Sequence, residues 1–174
     1  MKGVAVTSGY YKRPDKTAEA FDADGWFKTG DVVMIYPNGV AKIIDRSKNI
    51  FKLSQGEYIA PEKIENIFTL SQHIAQSMVY GDSLRSCTVA IIVPHINKCE
   101  EWAKANNKPE QSIDQILRDE GFKQFILDDM NSLCKSNKCS GLERPRDIYL
   151  TAEAFTVENN LLTPTFKLKR NIGA

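Results

Sequence analysis

The segment 45–65 constrains the fold most, because it contains a strand-like run, a glycine turn and a helix start in direct succession. Polar residues interrupt the apolar ones before the turn, which favours a half-exposed two-stranded ribbon over a buried strand. Gly56 can adopt positive φ, so a tight reversal of the chain is expected there. Pro61 followed by Glu62 is typical of the first turn of a helix, where an acidic side chain also favours the positive end of the helix dipole. The segment therefore predicts a ribbon that leads into a helix.

After this helix, strands and helices interleave along the chain. Short apolar runs predict three strands, at 77–81, 88–94 and 147–150. The capping-box spacing of Asn97 with Glu100, and of Ser112 with Gln115, predicts two helix starts. A longer apolar stripe at helical spacing runs to about residue 136, with Gly121 expected to interrupt it. The interleaving predicts an α+β fold in which helices pack against a small mixed sheet.

The first 45 residues do not resemble the start of a domain. Residues 3–7 alternate in polarity and are predicted to form a short strand. Two further runs, 32–36 and 40–45, flank a Pro-Asn-Gly turn and predict a hairpin. A lone hairpin is only marginally stable in water. We therefore expect residues 1–45 to finish a larger N-terminal domain, and residues 46–174 to form a separate domain.

Composition excludes several classes of function. The 23 Lys and Arg residues balance 22 Asp and Glu residues, so the net charge of +1 provides no overall field for binding nucleic acid or an anionic membrane. Only two histidines are present, and the cysteines at 87, 99, 134 and 139 contain no CxxC pair, so no metal site is predicted and free thiols are expected. No apolar run approaches the roughly 20 residues that cross a bilayer. Any membrane anchor is expected outside this piece.

Several motifs in register resemble those of a known superfamily. The adenylate-forming enzymes carry a hinge and glycine-loop motif, which this chain resembles at Arg46-x-Lys48-(x)7-Gly56-Glu57-x-Ile59-x-Pro61-x-x-Ile64-Glu65. The superfamily contains acyl-CoA synthetases, luciferases and nonribosomal adenylation domains. Residues 51–65 are most similar to eukaryotic-type long-chain fatty acyl-CoA synthetases, and two further segments, 25–31 and 162–170, match in order.

Asp31 and Arg46 are the candidate nucleotide-binding residues. A Thr-Gly turn precedes Asp31, and a carboxylate fixed in such a turn can accept hydrogen bonds from both ribose hydroxyls, although ordinary turn aspartates share this local sequence. Arg46 follows a predicted strand, and its guanidinium offers several donors to ribose or phosphate oxygens. A surface ion pair with Asp45 or Glu65 is the alternative for Arg46. The resemblance implies that Asp31 and Arg46 both contact the nucleotide.

The resemblance implies two further sites in the motif segment. Lys48 matches the hinge position, where only a backbone able to change its φ and ψ angles is needed. The loop Gln55-Gly56-Glu57 has small and polar residues. By resemblance, this loop lies beside the channel through which the pantetheine arm of CoA passes.

Lys167 is the candidate catalytic residue. By resemblance, the lysine of the family's C-terminal motif meets the reacting acid and the α-phosphate. Many members carry Ser-Gly before that lysine, whereas this chain has Thr165-Phe166, so Lys169 remains the alternative register. A basic tail in solvent is the alternative without chemistry.

The resemblance implies a two-step ligase reaction. Fatty acid and ATP, with Mg²⁺, give acyl-adenylate and pyrophosphate; CoA then displaces AMP. A phosphate loop and a fatty-acid tunnel are expected in the N-terminal domain outside this sequence, so the isolated chain is predicted to be inactive. The resemblance also implies a location at the cytoplasmic face of a membrane, with any attachment through other regions.

Two alternatives stay open, and a third is weak. The chain could belong to an aryl or medium-chain acyl-CoA ligase or a luciferase-like enzyme, or it could be a non-catalytic binding module. Nucleic-acid binding through the basic cluster 167–170 is disfavoured, since no aromatic platform accompanies that cluster.

Overall fold

The computed structural model describes residues 1–170 and divides the chain into two compact units, Met1–Lys48 and Asn49–Ala174. This division lies between Lys48 and Asn49, slightly later than the boundary predicted at 45/46. The assignment of the first unit to a larger domain stays a prediction. None of the described helices has the length and apolar character needed to cross a membrane.

The first unit consists of a short helix and a hairpin. Helix α1 spans Pro14–Ala20, and strands β1 (Asp31–Ile35) and β2 (Ala41–Arg46) pair antiparallel. Gly39, with φ of +82°, donates its N–H to the carbonyl of Tyr36 at 2.9 Å and closes the turn. The predicted hairpin is confirmed. The strand predicted at residues 3–7 is wrong: Val6 donates to the carbonyl of Gly3 at 3.1 Å, which makes a turn, and no neighbouring strand offers a ladder there.

The hairpin leaves its apolar side chains in solvent. Seven of them, on both strands and the turn, have exposed fractions between 37% and 72%: Val32, Val33, Met34, Ile35, Tyr36, Val40 and Ile43. Neighbouring residues of a strand point to opposite faces, so these side chains expose apolar surface on both faces of the hairpin. Soluble proteins rarely expose apolar surface of this extent unless something binds to it. This surface, the hairpin patch, is therefore a candidate contact surface.

The second unit begins with the expected ribbon and helix. Strands β3 (Phe51–Lys52) and β4 (Tyr58–Ile59) pair antiparallel, and helix α2 spans Pro61–Phe68. A three-stranded sheet follows in the order β5 (Ile74–Tyr80), β6 (Val89–Pro94), β7 (Asp147–Leu150). β5 and β6 are antiparallel, whereas β6 and β7 are parallel, so the sheet is mixed. The predicted α+β class, with helices against a small mixed sheet, is confirmed.

Three helices lie between β6 and β7: α3 (Ile96–Ala105), α4 (Ile113–Leu117) and α5 (Glu120–Ser136). Ser112 and Gln115 form the predicted capping box. The box predicted at Asn97 and Glu100 is wrong, because α3 begins at Ile96 with no side-chain cap. The backbone N–H of His95 donates to the carbonyl of His73 at 2.9 Å, and this bond fixes the residue directly before the helix. The helix therefore begins at Ile96, one residue before the predicted cap.

Alternate residues of the sheet face two hydrophobic clusters. Val79 and Ile92 join the main core with residues of α2 and α5, among which Phe68 and Phe122 are fully buried. Met78 and Val93 form a smaller cluster with two residues from the chain after β7, Phe155 and Leu162. The C-terminal segment is thus packed on this smaller cluster.

A side chain at Gly81 is expected to destabilise the second unit by overpacking its core. A Cβ at this position would lie 2.6 Å from Cε2 of Phe51 and 3.0 Å from Cδ2 of the buried Leu53. We expect Gly81→Ala to lower the free energy of unfolding by about 1–3 kcal/mol, as overpacked cores do. Urea unfolding monitored by circular dichroism measures the change. Gly141→Ala is the control, since a Cβ there meets nothing within 4 Å; an equal loss in both variants would contradict the packing argument.

Candidate functional site

Asp31 and Arg46 face each other at the open end of the hairpin. They are cross-strand partners in β1 and β2, and Nε of Arg46 lies 3.0 Å from Oδ1 of Asp31. The preceding turn fixes this arrangement: Gly30 has φ of +73°, and its carbonyl accepts from the N–H of Ser47 at 2.8 Å. Nη1 of Arg46 also donates to the carbonyl of Thr29 at 3.1 Å. The structure therefore brings together the two residues predicted to bind nucleotide.

The pair keeps capacity for a ligand. The contact with Nε of Arg46 engages Oδ1 of Asp31, and the Asp31 side chain is 19% exposed while that of Arg46 is 53% exposed. An ionised carboxylate accepts through both oxygens, and a guanidinium has five N–H donors, so both groups retain free positions. An ion pair, the alternative predicted for Arg46, does form, and its partner is Asp31. The pair presents an acceptor beside a multiple donor, which suits ribose hydroxyls next to a phosphate.

The glycine loop of the second unit is a tight reversal, as expected. Gly56 has φ of +90° and donates to the carbonyl of Leu53 at 2.9 Å. A Cβ at Gly56 would meet only Cε of Lys52, at 3.7 Å, so the positive φ rather than crowding requires glycine here. Nε2 of Gln55 donates to the carbonyl of Ser86 at 2.9 Å, which fixes the loop to the β5–β6 connection. Glu57 remains exposed.

The C-terminal segment forms a small hairpin, the tail hairpin (residues 161–169). Leu162 and Leu168 form an antiparallel bridge, and the amide of Lys169 donates to the carbonyl of Leu161 at 2.9 Å. The turn is closed by Phe166, which donates to the carbonyl of Thr163 at 2.8 Å and has φ of +58°. A left-handed backbone is one that glycine adopts freely. Phe166 therefore occupies a conformation that suits the Ser-Gly of the resembled motif.

The tail hairpin places the two candidate lysines in different surroundings. Lys167 is exposed, and within residues 1–170 its Nζ contacts no partner. Lys169, by contrast, donates from Nζ to Oδ1 of Asn160. The ammonium of Lys167 is thus available to a ligand while that of Lys169 is engaged. This geometry favours the register in which Lys167 is the motif lysine, although its role stays a prediction.

The left-handed Phe166 gives a stability prediction. A non-glycine residue in this region costs about 1–2 kcal/mol, and glycine adds about 0.5–1 kcal/mol of unfolded-state entropy. Because Phe166 is 78% exposed, losing its ring costs little. Phe166→Gly should therefore leave the unfolding free energy unchanged or raise it by up to about 1 kcal/mol. Phe166→Ala, which keeps the strained backbone, is the control, and a glycine variant less stable than the alanine variant in thermal melts would contradict this reading of the turn.

One interaction in this unit was not predicted from the sequence. Arg170 contacts Glu65 through two hydrogen bonds, Nη1 to Oε1 at 2.8 Å and Nη2 to Oε2 at 2.6 Å. Oε1 of Glu65 also accepts from the backbone N–H of Val79 at 2.7 Å. Both side chains are nearly buried, with exposed fractions of 15% for Arg170 and 10% for Glu65. Both residues stand in the resembled motifs, but no spacing rule pairs residues that lie 105 positions apart.

The cysteines form no disulfide within the described residues. All four are free thiols, as expected, and three of them are buried. Burial raises the pKa of Cys99 to about 11 and the pKa of Cys134 to about 12, so both are neutral thiols near pH 7. Among the described residues, no group of three or more His, Cys, Asp or Glu side chains is arranged to hold a metal ion.

Comparisons with known proteins give strong matches. Fatty acyl-CoA synthetase B of Dictyostelium discoideum is 49% identical over 171 residues, which cover 98% of this chain and 25% of that protein. Long-chain-fatty-acid–CoA ligase 1 of Cavia porcellus is 49% identical over 170 residues, covering 98% of this chain and 24% of that protein. No protein-family model matches. The chain therefore spans about a quarter of the length of the curated relatives it matches.

A solved structure extends the match to three dimensions. It is the A domain of a carboxylic acid reductase from Segniliparus rugosus, in complex with AMP and a co-purified carboxylic acid. It superposes with a TM-score of 0.81 at 33% identity, covering 98% of this chain and 25% of that one. Both units of this chain therefore have counterparts in an adenylation domain.

Proposed function

We propose that this chain belongs to the long-chain fatty acyl-CoA synthetase family and is the C-terminal part of an ATP-dependent long-chain fatty acid–CoA ligase. The observation that carries the proposal is the identity of 49% over 98% of the chain. The reaction joins fatty acid to ATP as an acyl-adenylate with release of pyrophosphate, after which the thiol of CoA displaces AMP. Mg²⁺ enters bound to the phosphates of ATP.

In this proposal, Asp31 and Arg46 hold the nucleotide. The carboxylate of Asp31 accepts from the ribose hydroxyls. The guanidinium of Arg46, already oriented by Asp31 and by the carbonyl of Thr29, donates to ribose or phosphate oxygens. Bidentate donors suit phosphate geometry. Because both groups are cross-strand partners in one hairpin, they present a preformed ribose site.

Lys167 supplies the positive charge of the first step. Negative charge accumulates on the acid and the α-phosphate as the adenylate forms, so a positioned ammonium stabilises that transition state. Nζ of Lys167 is exposed and engaged by no side chain within residues 1–170, which suits a residue that meets its partners only when substrate is bound.

Lys48 and the glycine loop serve the second step. The two units divide directly after Lys48, which supports a pivot at that backbone, and domain rotation is the usual way to exchange one active-site geometry for another. The loop Gln55-Gly56-Glu57, held to the carbonyl of Ser86, lies beside the pantetheine channel in this proposal. Its lack of a bulky side chain at Gly56 leaves room for a thin chain.

The hairpin patch docks the remainder of the ligase in this proposal. Its seven exposed apolar side chains need a partner, and the curated relatives contain about three times as much further chain as this one spans. We assign the patch to the N-terminal nucleotide-binding domain of the same protein. Phosphate-loop and acyl-tunnel residues would then come from that domain.

The decisive experiment uses the full-length protein that contains this chain. With ATP, Mg²⁺, CoA and palmitate, it should form palmitoyl-CoA, AMP and pyrophosphate, and the isolated chain should form none. Robust turnover by the isolated chain overturns the two-domain proposal. A full-length protein that activates aryl or medium-chain acids but not palmitate places the chain in another ligase class, and one that binds without turnover identifies a binding module.

A further inference from the structure

We propose that Glu65 is a positioning residue for the adenylation step, acting through Arg170 to hold the tail hairpin so that Lys167 is presented in one place. The proposal rests on the proposed function, since it concerns the step assigned to Lys167. Glu65 and Arg170 form the tail clamp, a name used below for this pair alone.

The tail clamp joins three parts of the second unit. Glu65 lies in α2, its Oε1 accepts from the amide of Val79 in β5, and both of its oxygens accept from Arg170. A carboxylate with three good donors is well satisfied although nearly buried, which is the condition under which a buried ion pair holds its geometry. The end of the tail is thereby fixed to a helix and a strand of the core.

Lys167 directly precedes two points of attachment. The next residue, Leu168, forms the bridge of the tail hairpin with Leu162 and packs against the smaller hydrophobic cluster. Arg170, three residues after Lys167, is bound in the clamp. A residue this close to two attached neighbours has little freedom in its Cα position. The clamp therefore sets where the flexible lysine stem begins.

Catalysis is sensitive to small displacements of a catalytic group. A misplacement of about 1 Å, caused by a change distant from the chemistry, can cost about a hundredfold in rate. Without Arg170, the tail hairpin would lose its link to α2 and β5 and keep its two-stranded hydrogen bonds and its packing on the smaller hydrophobic cluster. Two-stranded ribbons are marginal alone. Adenylation should then slow, whereas the CoA step, which does not use Lys167, should not.

A purely structural role is the competing explanation. Removing one partner of a nearly buried pair also destabilises a protein, so activity loss alone does not establish positioning. Two features separate the explanations. Structural damage lowers both half-reactions together with the melting temperature, while positioning lowers one half-reaction selectively. Positioning through Arg170 also makes the two substitutions non-additive, since either one breaks the same contact.

The test compares Glu65→Gln, Arg170→Gln and the double variant in the full-length ligase. Glu65→Gln keeps an acceptor for the amide of Val79, and Arg170→Gln leaves that link untouched. Each single variant should slow pyrophosphate release from ATP and palmitate by about ten- to a hundredfold. The double variant should be no slower than the slower single variant. All three should convert supplied palmitoyl-adenylate and CoA within about threefold of the normal rate.

Lys63→Ala is the matched control. It removes an ion pair on the same helix, between Nζ of Lys63 and Oε1 of Glu143 at 2.5 Å, whose acidic partner lies between α5 and β7 rather than in the tail. It should change neither half-reaction. The proposal is overturned if the clamp variants leave adenylation intact, if both half-reactions fall equally with the melting temperature, or if the two single effects multiply in the double variant.

Hydrogen exchange separates this proposal from the proposed function. In Arg170→Gln, the amide of Lys169, which donates to Leu161, should exchange about tenfold faster or more, because the hairpin opens locally. Unchanged exchange overturns the clamp whatever the activity. If the unsubstituted full-length protein forms no acyl-adenylate, the proposed function and the predicted effect of the clamp on adenylation are both overturned. Faster exchange in Arg170→Gln would still support the clamp as the contact that holds the tail.

Discussion

In the full-length ligase, Lys167→Ala should slow acyl-adenylate formation by about a hundred- to a thousandfold, the usual cost of losing one preorganised electrostatic contact to a transition state. The same variant should convert supplied acyl-adenylate and CoA at a nearly normal rate. The reason is that an interaction made in only one of two transition states accelerates only that step. Pyrophosphate release and thioester formation, measured separately, give the two rates.

Lys169→Ala is the control for the register of the tail. The ammonium of Lys169 is engaged with Asn160, and its backbone bond to Leu161 survives the substitution, so adenylation should stay largely intact. If Lys169→Ala abolishes adenylation while Lys167→Ala spares it, then the tail is aligned two residues away from its true register. The left-handed φ of Phe166 would in that case have no relation to the Ser-Gly of the motif.

Much of the fold was predictable because its signals are local. The Pro-Asn-Gly turn between β1 and β2, the positive φ at Gly56 and the proline at the start of α2 are each determined by one or two residues. The capping box at Ser112 belongs to the same class. Such signals act within a few residues, so the local structure they specify depends little on tertiary contacts.

The wrong predictions depended on contacts that the sequence does not encode locally. Residues 3–7 alternate like a strand, but a strand also needs a neighbour with free backbone groups. The capping box at Asn97 does not form, because a hydrogen bond between His95 and His73 fixes the chain directly before α3. That bond joins residues next to the ends of two strands. Tertiary hydrogen bonds of this kind override weaker local preferences.

The candidate sites show the same contrast. Asp31 and Arg46 were each identified from the sequence, but their ion pair was not predicted, because both lie just outside the predicted hairpin strands 32–36 and 40–45. The contact between Glu65 and Arg170 could not be predicted, because one residue lies on a helix and the other 105 positions later in a tail. The sequence also could not show which of the two lysines has an unengaged ammonium. The structure shows it, because Lys169 donates to Asn160.

Asp31→Ala should weaken the productive use of ATP by about ten- to 150-fold, measured as kcat/KM for ATP in pyrophosphate release. A hydrogen bond to a charged group contributes about 1.5–3 kcal/mol, which corresponds to that range. Loss of folding does not explain such an effect. The ion pair of Asp31 with the half-exposed Arg46 is of the kind that contributes about 0–1 kcal/mol to stability. The melting temperature should accordingly change little.

A modified substrate identifies the group that Asp31 binds. If its carboxylate accepts from the ribose hydroxyls, the unchanged enzyme should use 2′-deoxy-ATP less well than ATP, and Asp31→Ala should discriminate much less between them. The logic is that of a double-mutant cycle, with one substitution in the protein and one in the ligand. Asp31→Asn keeps one acceptor without the charge, so its discrimination should lie between the two. Full discrimination retained by Asp31→Ala would mean that the ribose hydroxyl is bound elsewhere, and that the carboxylate of Asp31 serves only to orient Arg46.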